Sequence, residues 1–368
     1  MHHPFLGAGT LIVAQMPEGE YRKQALIGAE GDTVNTRLLS KAAMAAILMT
    51  MGCGTVLAGH VSADTNGRQT DMPRIARDPS IFPGGELYSI PPSEADPSIK
   101  RFDKPNLVLV RKGLPADANL LVFFPGTGSE PNASWPFLVA GANAGYRVIG
   151  LMYDNGVSDP QTCGPQADPA CSDRFREKRI FGDADSKDID DLPNESVVSR
   201  LRTLLHYLEM NYPDQHWGRY LKSGLPDWSR IAVSGHSQGG GVADYIGKKR
   251  KVLRVINLSG AWDRTEVTKE WAPWITSTPA TPLDRWYCAY HQKESRADAM
   301  KAAYAVMKIP PDHIRVLTLE PNPANTLPKG ADAYHVSMSA TGVTPLNPDG
   351  TPAYAADWAF LLGSGSPK

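Results

Sequence analysis

Apolar residues fall in blocks along this chain from residue 87 onward. Compact runs occupy 87–90, 106–111, 119–124, 146–153, 230–234, 253–258, 285–290 and 313–319. The clearest, Leu120-Leu121-Val122-Phe123-Phe124, has no polar position at all, which predicts a strand covered on both faces. Between these runs the apolar spacing changes to three and four. Val197, Leu201, Leu204, Leu205, Leu208 and Tyr212 share one face of a helix that Asn194 or Ser196 can cap. Further helices are expected over 135–144 with Ser134 as cap, 242–248, 296–307, and 353–362 with Trp358 and Phe360 inward. Strands alternating with helices predict an α/β fold: a mostly parallel central sheet with helices on both faces. The connections hold no insertion long enough for a large cap domain. Residues 70–368 are read as one domain without internal repeats.

The pattern breaks before residue 70. Arg37 and Lys41 precede an uncharged stretch at 42–59, and small-residue sites follow at 56–58 and 61–63. A basic start, an apolar centre and such a site describe a secretory signal over about 37–63. The alternative is a membrane anchor formed by 42–59, although its glycines and threonines suit a span poorly. A lipoprotein site at Cys53 is a third reading. Residues 1–33 carry Glu18, Glu20, Glu30 and Asp32 and suit neither signal nor core, so translation is expected to start near Val34 unless the run is an anchor. Residues 1–69 are therefore an N-terminal extension, and the mature protein is expected in the periplasm or medium. Cys163 and Cys171, eight apart in a polar, proline-rich loop, are expected to pair as a disulfide in an exported chain.

Composition narrows the partners. The 368 residues carry a formal net charge of -1, which argues against nucleic acid. The basic run Lys248-Lys249-Arg250-Lys251 is expected to be a solvated helix end. The cysteine spacing fits no zinc motif. The acidic run from Asp183 to Asp191 has lysine at a ligand position and lacks the glycine of a calcium loop, so neither metal nor cofactor is expected.

The chemistry centres on Gly235-His236-Ser237-Gln238-Gly239, which joins a β-branched run directly to a helical segment. Strand, sharp turn and helix are the context that G-x-S-x-G requires to expose a nucleophilic serine. A serine hydroxyl needs a base, and the base an orienting acid. The layout resembles the α/β-hydrolase superfamily over residues 70–368, and more closely a group of exported bacterial α/β hydrolases. That resemblance rests on Phe124-Pro125-Gly126-Thr127-Gly128, Pro169-Ala170-Cys171, 198–202, Trp228-Ser229-Arg230, 235–241 and Ser259-Gly260-Ala261-Trp262-Asp263.

The superfamily order of serine, acid, histidine selects His335, on a loop after the last strand, as base. His236 beside the serine is read as a packing or hydrogen-bonding residue. Glu294 is the first carboxylate after the strand at 285–290 and is the expected acid, where the related group carries aspartate. Asp263, after the preceding strand, is the alternative, and Asp298 falls inside the next helix. The oxyanion donors are expected to be the backbone N–H of Gln238 and that of Thr127 or Gly126. Trp262, Trp271 and Trp274 form either an aromatic wall for substrate or a small core that pins their loop. These parts predict a serine hydrolase cleaving a small-molecule or polymeric ester. Peptidase, thioesterase and acyltransferase chemistry would use the same parts, and a non-catalytic hydrolase-like binding protein is the reading from another class.

Overall fold

The computed structural model describes residues 82–182, 186–322, 327 and 330–365. The extension with its signal-like or anchor-like segment, Cys53 included, lies outside the described residues, as do the first three residues of the acidic run. Among the described residues ten strands occur in chain order: β1 (Gly85–Ile90), β2 (Asn106–Arg111), β3 (Leu120–Phe124), β4 (Arg147–Gly150), β5 (Leu221–Lys222), β6 (Leu225–Pro226), β7 (Ile231–His236), β8 (Arg254–Leu258), β9 (Trp286–His291) and β10 (Ile314–Leu317). β5 and β6 form a small hairpin. The other eight make one sheet in the order β1-β2-β4-β3-β7-β8-β9-β10. β2 is antiparallel to both its neighbours, and every other pairing in the sheet is parallel.

The helices are α1 (Pro92–Ala95), α2 (Trp135–Asn143), α3 (Asp159–Thr162), α4 (Cys171–Phe181), α5 (Val197–Asn211), α6 (Gln238–Lys249), α7 (Pro273–Thr276), α8 (Ala297–Val306), α9 (Ala333–Val336) and α10 (Ala355–Leu362). Alternation along β3 shows why both faces of the sheet need cover. Leu120, Val122 and Phe124 pack into a core shared with α5, α6 and α8. Leu121 and Phe123 point the other way, against Phe137 and Leu138 of α2 and Trp358 and Leu361 of α10. All five β3 side chains are buried, as the unbroken apolar run predicts.

The amphipathic helix is α5, and Ser196 caps it by accepting from the Ser199 N–H at 3.3 Å. Its buried Val197, Leu201, Leu204, Leu205 and Leu208 each contribute roughly 1.5–3 kcal/mol by leaving water. Two local expectations fail. Ser134 does not cap α2: a 3-10 turn from Pro131–Ser134 runs into the helix, and the Ser134 hydroxyl instead meets that of Ser339 at 3.0 Å. The basic run is only partly solvated. Lys248 is buried and donates to the Ile275 and Ser277 carbonyls, the Ser277 bond at 2.6 Å, while Lys249, Arg250 and Lys251 are exposed or nearly so. Burial lowers the Lys248 pKa to about 8.

Cys163 and Cys171 are joined by a disulfide, with their Cα atoms 5.5 Å apart. It ties α3 to the start of α4. That second helix lies where the sequence pattern suggested only a loop.

Candidate active site

β7 ends at His236 and α6 begins at Gln238, so Ser237 occupies the turn with φ 56 and ψ -121. Positive φ is costly for serine, and this strained backbone is the geometry that lifts the hydroxyl clear of the sheet. Two glycines permit it. A Cβ on Gly235 would sit 2.2 Å from the Gly239 carbonyl oxygen, and one on Gly239 would sit 1.9 Å from that of Phe124. The turn is anchored to β8 by the Ser237 N–H, which donates to Leu258 at 2.8 Å.

Glu294 follows β9 and is almost wholly buried. Its Oε2 accepts from the Nδ1–H of His335 at 2.6 Å. Its Oε1 accepts from the Ser259 hydroxyl at 2.8 Å and from the His291 backbone N–H at 2.7 Å. The carboxylate is thus fixed from three sides, with one oxygen reserved for the imidazole. Ser259 itself has φ 52 and Ala261 has φ 63, so the loop after β8 also stores backbone strain next to this site.

His335 sits in the single turn α9. Asp332 caps that turn, its Oδ1 accepting from Tyr334 and His335 N–H groups and its Oδ2 from the Ser295 N–H at 2.6 Å. One carboxylate therefore pins the histidine turn to the loop that carries Glu294. Partial burial works against it, but the Ser295 and His335 N–H groups hold the Asp332 carboxyl below the ordinary aspartate range. His236 supports the same turn from the other side. Its Nε2 meets the His335 carbonyl oxygen at 2.8 Å, and the two rings lie 4.7 Å apart. Burial, with the neighbouring imidazole second, pushes the His236 pKa down to about 3, so the ring is neutral and its Nε2–H donates. The sequence assigns no role to Asp332, and Ser259 enters there only within the stretch 259–263. The signal for Asp332 was the Asp-x-x-His spacing, which is an N-cap pattern.

Asp263, the alternative, has different partners. Asp263 accepts from Arg176 through both oxygens, at 2.5 and 2.8 Å, and from the Trp274 indole at 3.1 Å. Both members of that pair are about 2% exposed. Burial works to lower the Arg176 pKa, yet the Asp263 carboxylate holds it above the ordinary arginine value.

The loop after β3 is clamped from below. The Tyr153 hydroxyl donates to the Pro125 carbonyl at 2.8 Å, and the Asn155 amide to Gly126 at 2.6 Å and Ser129 at 2.8 Å. These bonds leave Thr127 exposed at the tip. Neither the Thr127 nor the Gln238 backbone N–H has a protein partner among the described residues. Both residues line an open cavity with Ser237, Arg176, Trp262 and Asp263.

The three tryptophans separate. Trp262 lines the cavity and stands edge-on to His335 at 6.0 Å between rings. Trp274 is buried behind it against Tyr245 and Asp263, and Trp271 packs on Arg264. Those two pin the loop, which leaves Trp262 as the one that faces the cavity. Among the described residues no three His, Cys, Asp or Glu side chains are grouped so as to hold a metal ion. Asp188 and Asp191 of the acidic run instead pair with Arg174 and Arg179.

No family model matches the chain, and no curated protein matches it. Solved structures similar to it include a bacterial heroin esterase, at 15% identity over 78% of this chain and 86% of the other, with a TM-score of 0.40. Another is esterase 2 of Thermogutta terrifontis, phosphoramylated by tabun, at 12% identity over 78% of this chain and 97% of the other, with a TM-score of 0.39. With one reversed strand in an otherwise parallel eight-stranded sheet, and a strained serine between β7 and α6, the chain has the α/β-hydrolase fold.

Proposed function

We propose that the protein is a serine hydrolase that cleaves carboxylic esters through an acyl-enzyme. The observation that carries this reading is the 2.6 Å bond between His335 Nδ1 and Glu294, formed beside the strained turn that presents Ser237. In the proposed mechanism the Glu294 carboxylate fixes the His335 tautomer with its proton on Nδ1, leaving Nε2 free to take the serine proton. Ser237 Oγ attacks the ester carbonyl, and the oxyanion is held by the N–H groups of Gln238 and Thr127, each worth roughly 3 kcal/mol to the transition state. His335 then returns the proton to the leaving alcohol. Water, activated by the same imidazole, hydrolyses the acyl-serine.

Asp263 is a poor candidate for the acid, because its oxygens are occupied by Arg176 and Trp274. A thioester, an amide or a second alcohol as acceptor would use the same groups. Among the described residues no cap domain covers the cavity. A hydrolase-like binding protein would have no need of the backbone strain at Ser237.

A fluorophosphonate probe tests the reading. The wild type should label and Ser237→Ala should not. A wild type that stays unlabelled, or a variant that labels equally, removes the enzyme assignment. A panel of p-nitrophenyl esters of increasing acyl length then defines the substrate range. Export is part of the proposal, with residues 37–63 as a cleaved signal ahead of a catalytic domain from about residue 70. The Cys163–Cys171 disulfide is at home in an oxidising compartment. Among the described residues no helix is long and apolar enough to cross a membrane. Mass analysis of the mature protein decides it: an intact residue 1 would rule out signal cleavage.

A further inference from the structure

The wall of the cavity facing Ser237 is unusual for an apolar acyl site. Arg176 and Trp262 both line it, and each carries a buried N–H with no partner among the described residues: Arg176 Nη1 and Trp262 Nε1. The rest of the guanidinium is committed, because Nε and Nη2 are bonded to Asp263. That pair fixes the arginine in place and leaves its remaining donor unused. Nature rarely leaves buried donors unpaired, and those that remain beside a reactive group are candidates for ligand contacts. We propose that Arg176 and Trp262 form a recognition site for a neutral oxygen acceptor, such as a keto, hydroxyl or ether oxygen, carried by the substrate close to the scissile ester. This rests on the serine-hydrolase reading of Ser237 and names the class of ester that site selects.

Charge decides between a neutral oxygen and a carboxylate. The Arg176 cation is already met by Asp263, and both are sequestered from solvent. Asp159 is nearby on α3, bonded to the Ser172 hydroxyl at 2.8 Å. Burial first, and the Asp263 charge second, raise its carboxyl well above the ordinary aspartate range, and in neither protonation state does it attract a substrate carboxylate. With Arg176 already matched by Asp263, the cluster carries no net positive charge. A substrate carboxylate would gain no net attraction and would approach Asp263. A keto or hydroxyl oxygen accepts a hydrogen bond from each donor without that repulsion. Pro160 and Ala261, also in the lining, suit the short carbon chain that would carry it.

Three methyl esters of matched length test this in a pH-stat: methyl pentanoate, methyl 4-oxopentanoate and monomethyl succinate. The wild type should show kcat/KM for the keto ester at least about tenfold above that for the pentanoate, because a site built around a hydrogen bond rejects an analogue lacking it. The succinate monoester should fall below the keto ester. Trp262→Phe removes one N–H while keeping a ring, and Arg176→Lys removes Nη1 while keeping a cation for Asp263. Each should lower the keto-to-pentanoate ratio by about threefold or more. A wild type without keto preference overturns the proposal, and so do variants that lower both esters in proportion. A preference for the succinate monoester overturns the neutral-acceptor assignment. These failures are distinct from failure of the parent reading, in which no ester is cleaved and Ser237 also fails to take up the fluorophosphonate. If Arg176→Lys does not fold, as thermal unfolding would show, the Trp262→Phe ratio alone decides.

Discussion

Exchanging Glu294 for glutamine changes one atom of the carboxylate, and the structure dictates which way the new amide must point. Oε1 accepts from the His291 backbone N–H, a donor that cannot rotate away. Placing the amide NH2 there would set two donors face to face. The amide oxygen is therefore held at the Oε1 position, where it keeps the bonds from His291 and Ser259. The NH2 then faces His335 Nδ1, which must accept rather than donate. That forces the imidazole proton onto Nε2, the nitrogen that should receive the serine proton. An acid-to-amide change of this kind in a serine triad costs about 10⁴ in kcat, or about 5 kcal/mol of barrier. Because two of three hydrogen bonds survive, the fold should be nearly as stable as the wild type. Asp263→Asn makes the opposite pattern. It breaks a buried ion pair with Arg176, which costs roughly 3–5 kcal/mol of stability, while the His335 tautomer is untouched. The assay is kcat on a p-nitrophenyl ester beside urea unfolding for both variants. Glu294→Gln should lose activity without stability, and Asp263→Asn stability with a far smaller change in kcat below its unfolding range. A greater loss of kcat from Asp263→Asn than from Glu294→Gln would refute the assignment.

Other outcomes follow from the same contacts. Gly239→Ala forces a methyl group into the Phe124 carbonyl, at an ideal separation of 1.9 Å, and should cost about 3 kcal/mol or more; normal yield and an unchanged unfolding midpoint would contradict the elbow packing. Asp244 is buried against Asn257, and burial raises its pKa from 3.8 to about 7. The folded state then binds the extra proton between those values, so stability should fall as pH rises from about 4 to 7, by as much as roughly 4 kcal/mol. Asp244→Asn should abolish that slope in urea titrations, and an identical slope in the variant would exclude Asp244 as its source. Replacing both Cys163 and Cys171 by serine opens a loop with a sequence separation of 8, and should cost about 2–3 kcal/mol on a chain-entropy basis. Denaturant curves of the oxidised wild type and the double variant give that difference directly, and coincident curves would refute it.

What could be read from the sequence divides by how far apart the deciding partners lie. The strand pattern was legible because a run such as Leu120–Phe124 needs no particular partner, only cover on both faces. The serine turn was legible because its requirements are local: glycines at 235 and 239, a strand before and a helix after. The helix α4 was not. Its buried face is Cys171, Ser172, Phe175, Arg176, Arg179 and Ile180, so arginines occupy positions where a helix normally carries leucine. Their burial is possible only because Asp263 and Asp191 receive them, and Asp263 stands 87 residues away. Hydropathy scores those arginines as solvent-facing, and the helix period disappears. Lys248 departs from expectation for the same reason, since its carbonyl acceptors come from α7 and its C-cap, Ile275 and Ser277. The rivalry between Glu294 and Asp263 shows the principle at the site itself. Both carboxylates follow adjacent strands, and nothing local separates them. Arg176, on the helix the sequence did not reveal, occupies Asp263 and leaves Glu294 beside His335. Without α4 in the sequence reading, both the partner of Asp263 and the polar wall of the cavity stay hidden, because one arginine supplies the two.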